Sequence, residues 1–138
     1  MIVQPYLFLE GRCEEALDFY TRTLGAKVTM KMRYDEAPEA PPPGMLPPGS
    51  EKKVMHSAFT IGDSLIMASD GCVAGEQAFK GFSLSITADS EQQARQMFEA
   101  LSEGGTVKMP MNKTFWSPCF GMLEDKFGIG WMIGLNPA

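Results

Sequence analysis

The spacing of Ala16, Phe19, Tyr20 and Thr23, at i, i+3, i+4 and i+7, marks the inward stripe of one helix. Ala94, Met97, Phe98 and Leu101 repeat that stripe after a shift of 78 positions. Each stripe is preceded by an apolar strand and a polar corner: Ile2 to Leu9 with Glu10-Gly11-Arg12, and Phe82 to Thr87 with Ala88-Asp89-Ser90. The predicted helices run from about Cys13 to Leu24 and from about Glu91 to Ser102. Glu14 and Glu15 place negative charge on the first turn of one, Ser90 and Gln93 form a capping-box pair on the other, and glycine follows both. Strand-like runs come next: 26–34, Val54 to Ile61 and Ser64 to Ser69 around Gly62-Asp63, then Thr106 to Met111, Cys119 to Leu123 and Gly130 to Leu135. Each half therefore reads β-α-β-β-β, module one over about 1–70 and module two over about 80–136.

A proline-rich segment, 36–50, interrupts the symmetry, with Pro38, Pro41, Pro42, Pro43, Pro47 and Pro48 beside Gly44 and Gly49. Proline removes backbone donors and fixes φ, so this segment is a loop or flap between strands. With 138 residues and 44% hydrophobic content, the chain has enough apolar material for one domain with a real core. A net charge of −5 offers no attraction to phosphate backbones or anionic lipid, which excludes nucleic acid and membrane surfaces as partners. The three cysteines, Cys13, Cys72 and Cys119, form no CxxC pair, which points away from a disulfide framework or zinc knuckle and toward a reducing cytoplasm. The start lacks a basic segment followed by an apolar run, and no window approaches a membrane span.

Two β-α-β-β-β modules, the run from Pro5 to Tyr20, then Thr114-Phe115-Trp116 and Asp125 to Ile133, resemble the vicinal oxygen chelate superfamily of glyoxalase I, bleomycin-resistance proteins and dioxygenases. Within it they look like the PhnB-like, demethylubiquinone methyltransferase-like subgroup. The resemblance implies an α+β fold in which the paired modules form a cupped, eight-stranded mixed sheet, assembled as a homodimer. The methyltransferase label is not supported by the residues: a nucleotide-type methyl donor calls for a glycine-rich strand-to-helix turn, and Gly11 stands alone there beside Arg12, Cys13 and two glutamates.

The superfamily's metal ligands, carried over by position, fall on Gln4, on or next to Met67, on Phe82, and on or next to Ile133. Thioether, phenyl and aliphatic groups cannot replace imidazole or carboxylate, so the sequence predicts a cup without metal or other cofactor. Its lining follows by alternation: Gln4, Tyr6 and Phe8 share one side, and Phe82 shares a side with Leu84 and Ile86. Trp131 likewise shares a side with Ile133, and Phe115 and Trp116 stand near the next hairpin. Met67 and the high methionine count, 11, add adaptable apolar surface. Each of these residues reads either as part of that lining or as ordinary core or dimer packing, and the expected ligand is a small, partly apolar molecule.

His56, the sole histidine, lies on the face of Ala58 and Thr60. It reads either as a general base of a lyase or isomerase, helped by Gln4, Tyr6 or Asp70 with or without a weakly held divalent metal, or as a half-buried structural histidine. Asp70 in Ser69-Asp70-Gly71 reads as that partner or as a turn cap. An interaction module with a Met-rich surface is the third alternative.

Overall fold

The computed structural model describes residues 1–39, 48–71 and 78–136. Pro41, Pro42, Pro43, Gly44 and Pro47 of the proline-rich loop, and Cys72, lie outside the described residues. The chain forms two compact units, 1–77 and 78–138. No helix among the described residues is long and apolar enough to cross a membrane.

Unit one contains β1 (Tyr6–Phe8), α1 (Cys13–Leu24), β2 (Lys27–Arg33), β3 (Val54–Ile61) and β4 (Ser64–Ser69), in sheet order β1-β4-β3-β2. Unit two repeats it with β5 (Leu84–Thr87), α2 (Glu91–Ser102), β6 (Thr106–Asn112), β7 (Phe120–Glu124) and β8 (Gly130–Gly134), in order β5-β8-β7-β6. In each sheet the first strand pairs in parallel with the last, and the other neighbours are antiparallel. The eight predicted strands thus divide into two four-stranded mixed sheets, each with one helix.

Both helices keep their predicted bounds because their stripes match the helical period. On α1, Ala16, Phe19 and Tyr20 are buried together with Leu17 and Leu24, and Tyr20 stacks on Phe59 with ring centroids 5.8 Å apart. Gly25, at φ 66°, ends this helix by donating its amide to Thr21 and Tyr20 carbonyls, a conformation that a Cβ would strain. On α2, Ala94, Phe98 and Leu101 are buried. Its Ser90 Oγ accepts from the Gln93 amide at 3.1 Å, while Gln93 Oε1 accepts from the Asp89 amide at 2.7 Å. The first strand is shorter than expected: Ile2 and Val3 are exposed, and Pro5 has no amide to give a ladder.

The start of α1 has no side-chain cap from Arg12. Its first amide, Cys13 N, instead donates to Asp70 Oδ1 at 2.9 Å, and Asp70 Oδ2 accepts from Val54 N at 2.7 Å. Glu14 ties the same turn to β2, accepting from Lys31 Nζ at 2.7 Å and pairing with Arg33. Lys31 is the chief cause that holds the Glu14 carboxyl below its ordinary pKa.

Cys13 is fully buried, with Sγ 3.6 Å from Ser57 Oγ. Burial pushes its thiol up to about 11 from 9.0, with the Asp70 carboxylate adding to the rise and the Ser57 hydrogen bond opposing it. The folded state therefore favours the protonated thiol. That contribution is fully present below pH 9 and is lost as pH rises toward 11, on the order of 3 kcal/mol in all. Urea unfolding of the wild type at pH 8 and pH 10.5 is expected to show this fall, and Cys13→Ala is expected to remove most of it. An equal fall in both proteins counts against the buried thiol as its source.

Candidate functional site

Residues opposite one another in register share a face, and the helix identifies which face is covered. In unit one, Leu7, Ala68, Ser57, Phe59 and Ile66 are buried. Cys13 of α1 touches Ser57, and Tyr20 stacks on Phe59. The opposite, open face carries the row Tyr6, Met67, Ala58 and Met30, linked by register across all four strands. One row along lie Phe8, opposite Ser69, and His56, opposite Met32.

This open face holds a hydrogen-bonded pair. Tyr6 Oη lies 3.0 Å from His56 Nδ1, reaching diagonally across β4, and the two rings overlap at 5.6 Å and 25°. Phe8, 49% exposed, sits with its ring centroid 4.9 Å from that of Tyr6. Met67 is half-buried beside them, and Gln4 is half-buried just before β1. Tyr6, Phe8, His56 and Met67 are therefore brought to one face.

Asp70 is not the partner of His56. Both of its oxygens are taken by backbone amides of Cys13 and Val54, so it serves as a remote helix cap and strand pin. Cys119 is fully buried.

Unit two departs from the predicted lining. A Cβ built on Gly121 would lie 2.6 Å from Phe98 Cε2, so this side of β7 faces α2. Ile133 is in register with Gly121, and Trp131 with Leu123, so both face the helix. Trp131 is 1% exposed and Ile133 0%, and Trp131 Nε1 donates to Asp125 Oδ2 at 2.9 Å. These two residues belong to the core and not to an open face; Leu84 and Ile86, their register partners, share that face and are half-buried. The open face instead carries Ser85, Met132, Met122 and Met109 in one row.

The inversion has a local cause. Leu9 N donates to Ser69 O, and Ala88 N donates to Gly134 O, each at 2.8 Å, which makes Leu9 and Ala88 equivalent. Glu10 and Gly11 separate Leu9 from the helix cap Arg12, whereas Asp89 alone separates Ala88 from the cap Ser90. One residue fewer in the corner moves every side chain of the strand to the other face when the helices are aligned.

The other predicted residues of unit two lie outside the strands. Phe82 precedes β5, is 49% exposed and meets Phe79 edge-on at 6.5 Å. Phe115 is 97% exposed and Trp116 44%, and Trp116 packs edge-on against Phe120 at 5.3 Å. Ser117 anchors their loop: its Oγ accepts from the Leu135 amide at 3.1 Å and donates to the Leu135 carbonyl at 2.7 Å.

The donor chemistry does not suit the superfamily's metal. Among the described residues, no group of three or more His, Cys, Asp and Glu side chains is placed to hold an ion. Corrected for the corner, the four ligand positions fall on Gln4, Met67, Ser83 and Met132, an amide, a hydroxyl and two thioethers.

Comparison with known proteins agrees with the duplicated architecture. The family model described as 3-demethylubiquinone-9 3-methyltransferase matches residues 2–134. The chain belongs to that PhnB-like family. It is 33% identical over 142 residues to protein YjdN of Escherichia coli, covering 98% of this chain and 95% of that one. The crystal structure of PA1353 from Pseudomonas aeruginosa matches with a TM-score of 0.85 at 35% identity, covering 99% of this chain and 98% of that chain. A putative 3-demethylubiquinone-9 3-methyltransferase, PhnB protein, from Bacillus cereus matches at 0.82 and 30%, covering 99% and 100%. A glyoxylase/bleomycin resistance protein/dioxygenase domain from Frankia shares the fold, at 0.72 and 14% identity, covering 99% and 98%.

A methyltransferase family implies a methyl donor as cofactor. The β1–α1 corner does not fit one. The first amide of α1 is already taken by Asp70, Glu10 pairs with Lys53, and Arg12 pairs with Glu15. Glu14 and Glu15 already put negative charge on that first turn, which disfavours a further anionic group there.

Proposed function

We propose that this PhnB-like chain is a cytoplasmic, homodimeric protein that binds a small, partly apolar molecule without a metal ion, using the open face of the unit-one sheet. The observation that carries this reading is the Tyr6–His56 pair, a directed polar group set among Phe8, Met67 and Ala58. Binding sites for small molecules combine apolar lining with a few placed polar groups, and this face has that composition. The donor set at the former ligand positions supports the metal-free part. The exposed Phe115 and Trp116 support a second copy as partner.

Two measurements test the reading. Protein purified without chelator is expected to carry far less than one equivalent of Zn, Ni, Fe or Mn. The apolar dye anilinonaphthalene sulfonate is expected to bind, and Met67→Glu, which puts a carboxylate on the face without disturbing the covered side, is expected to weaken it at least about ten-fold. A stoichiometric metal, or dye binding indifferent to Met67→Glu, counts against it.

A lyase or isomerase using His56 is the second reading, favoured by the orientation that Tyr6 imposes on the ring. It differs in one outcome: wild-type protein then converts a co-purified small molecule that His56→Gln retains unchanged.

A further inference from the structure

We infer that His56 presents its Nε2–H to an oxygen acceptor on the bound molecule, and that Tyr6 is the positioning residue that fixes this tautomer. The inference rests on the open face of the unit-one sheet being the ligand site. An imidazole nitrogen without a proton is a better acceptor than a phenol oxygen, so at 3.0 Å the Tyr6 hydroxyl donates to Nδ1. A neutral ring with Nδ1 accepting carries its proton on Nε2. The reverse arrangement, Nδ1–H donating to Tyr6, turns Nε2 into an acceptor and selects a different ligand.

Nε2 is the end of the pair left for a ligand. His56 makes no other hydrogen bond among the described residues. Glu10 Oε2 is the one side-chain nitrogen or oxygen among them that is both buried and without a partner, so Nε2 of the half-buried His56 is not sealed off. The same face carries the Tyr6 and Phe8 rings and the Met67 thioether, and the Asp70 carboxylate is engaged by two backbone amides. One donor on a flat, apolar face selects a flat, largely apolar molecule bearing a carbonyl or similar neutral oxygen, such as an aryl ketone. Tyr6 and Phe8 offer the stacking surface and His56 the single directed bond.

Because His56 is the only histidine, its ring nitrogens give one unambiguous pair of resonances in a long-range proton–nitrogen correlation spectrum of labelled protein. At pH 8.5 the expected pattern is protonated Nε2 and hydrogen-bonded Nδ1, and Tyr6→Phe is expected to move the Nδ1 resonance. A protonated Nδ1 in the wild type overturns the inference, whatever binds.

The ligand class is read with two probes of one shape, acetophenone and ethylbenzene. Acetophenone is expected to bind about five-fold tighter, the worth of one hydrogen bond, and to shift the Nε2 signal. Tyr6→Phe is expected to reduce that preference. Equal binding of the two probes to the wild type overturns the inference and leaves the binding reading standing. Failure of both to bind overturns the binding reading, and the ligand class falls with it.

Discussion

Replacing Asp125 with alanine is expected to lower the unfolding free energy of the full chain by about 4 kcal/mol, near the upper end for a single substitution. Asp125 is 3% exposed and holds three donors at once. Its Oδ1 accepts from the amides of Phe127 at 2.8 Å and Ile129 at 3.1 Å, and its Oδ2 accepts from Trp131 Nε1 at 2.9 Å. The turn Asp125-Lys126-Phe127-Gly128, with Gly128 at φ 88°, is built around this carboxylate and delivers the chain into β8. Alanine removes the carboxylate acceptor of two amides and an indole N–H, and a buried donor that loses its acceptor costs about 1–3 kcal/mol. Asn is expected to recover about half, since one oxygen remains. Trp131→Phe removes one donor and leaves the amide bonds, so its loss should be smaller than that of Asp125→Ala. Urea unfolding followed by tryptophan fluorescence measures all three. A loss below about 1 kcal/mol for the alanine variant means the carboxylate does not organise this turn.

The helices were legible in the sequence because their stripes follow the 3.6-residue period and their ends carry caps and glycines that act locally. Hairpin β3–β4 was equally legible: its turn is Gly62-Asp63, with Gly62 at φ 57°, and its alternation placed His56 on the face of Ala58. What the sequence did not reveal was long-range register. The Tyr6–His56 bond depends on β1 pairing in parallel with β4, in a register set between residues some sixty positions apart. No local spacing encodes that. The placement of Trp131 and Ile133 at the lining failed for a related reason. Alternation states which residues share a face, and only the corner between strand and helix states which face the helix covers. The shift of 78 aligned the helices correctly while the shorter Ala88-Asp89-Ser90 corner put the strand out of phase. Counting corner residues from each cap back to each strand is the signal that was present and unused. The buried indole N–H was a second clue, since a core tryptophan needs an acceptor and Asp125 precedes it by six residues.

Asp70→Ala tests how far the candidate site depends on its scaffold, and is expected to cost about 3 kcal/mol, two amides losing a buried acceptor. Asp70 is 4% exposed, and its two oxygens join the first turn of α1 to the first residue of β3, two positions before His56. Without it, Cys13 N has no substitute cap, because Arg12 provides none, and the start of β3 keeps only the bond from the Asp70 amide to the Val54 carbonyl. The loss should therefore appear in two places: in urea unfolding, and in a broadened or shifted Nδ1 resonance of His56. Asp70→Asn keeps one acceptor and is expected to lose about half as much stability with a smaller change at His56. A direct carboxylate partner of the histidine behaves otherwise: its removal changes the ring while stability stays near wild type. If Asp70→Ala unfolds at the wild-type urea midpoint, the carboxylate is not the pin that its two short bonds describe, and the backbone ladder and packing are enough to place β3 beneath the Tyr6–His56 pair.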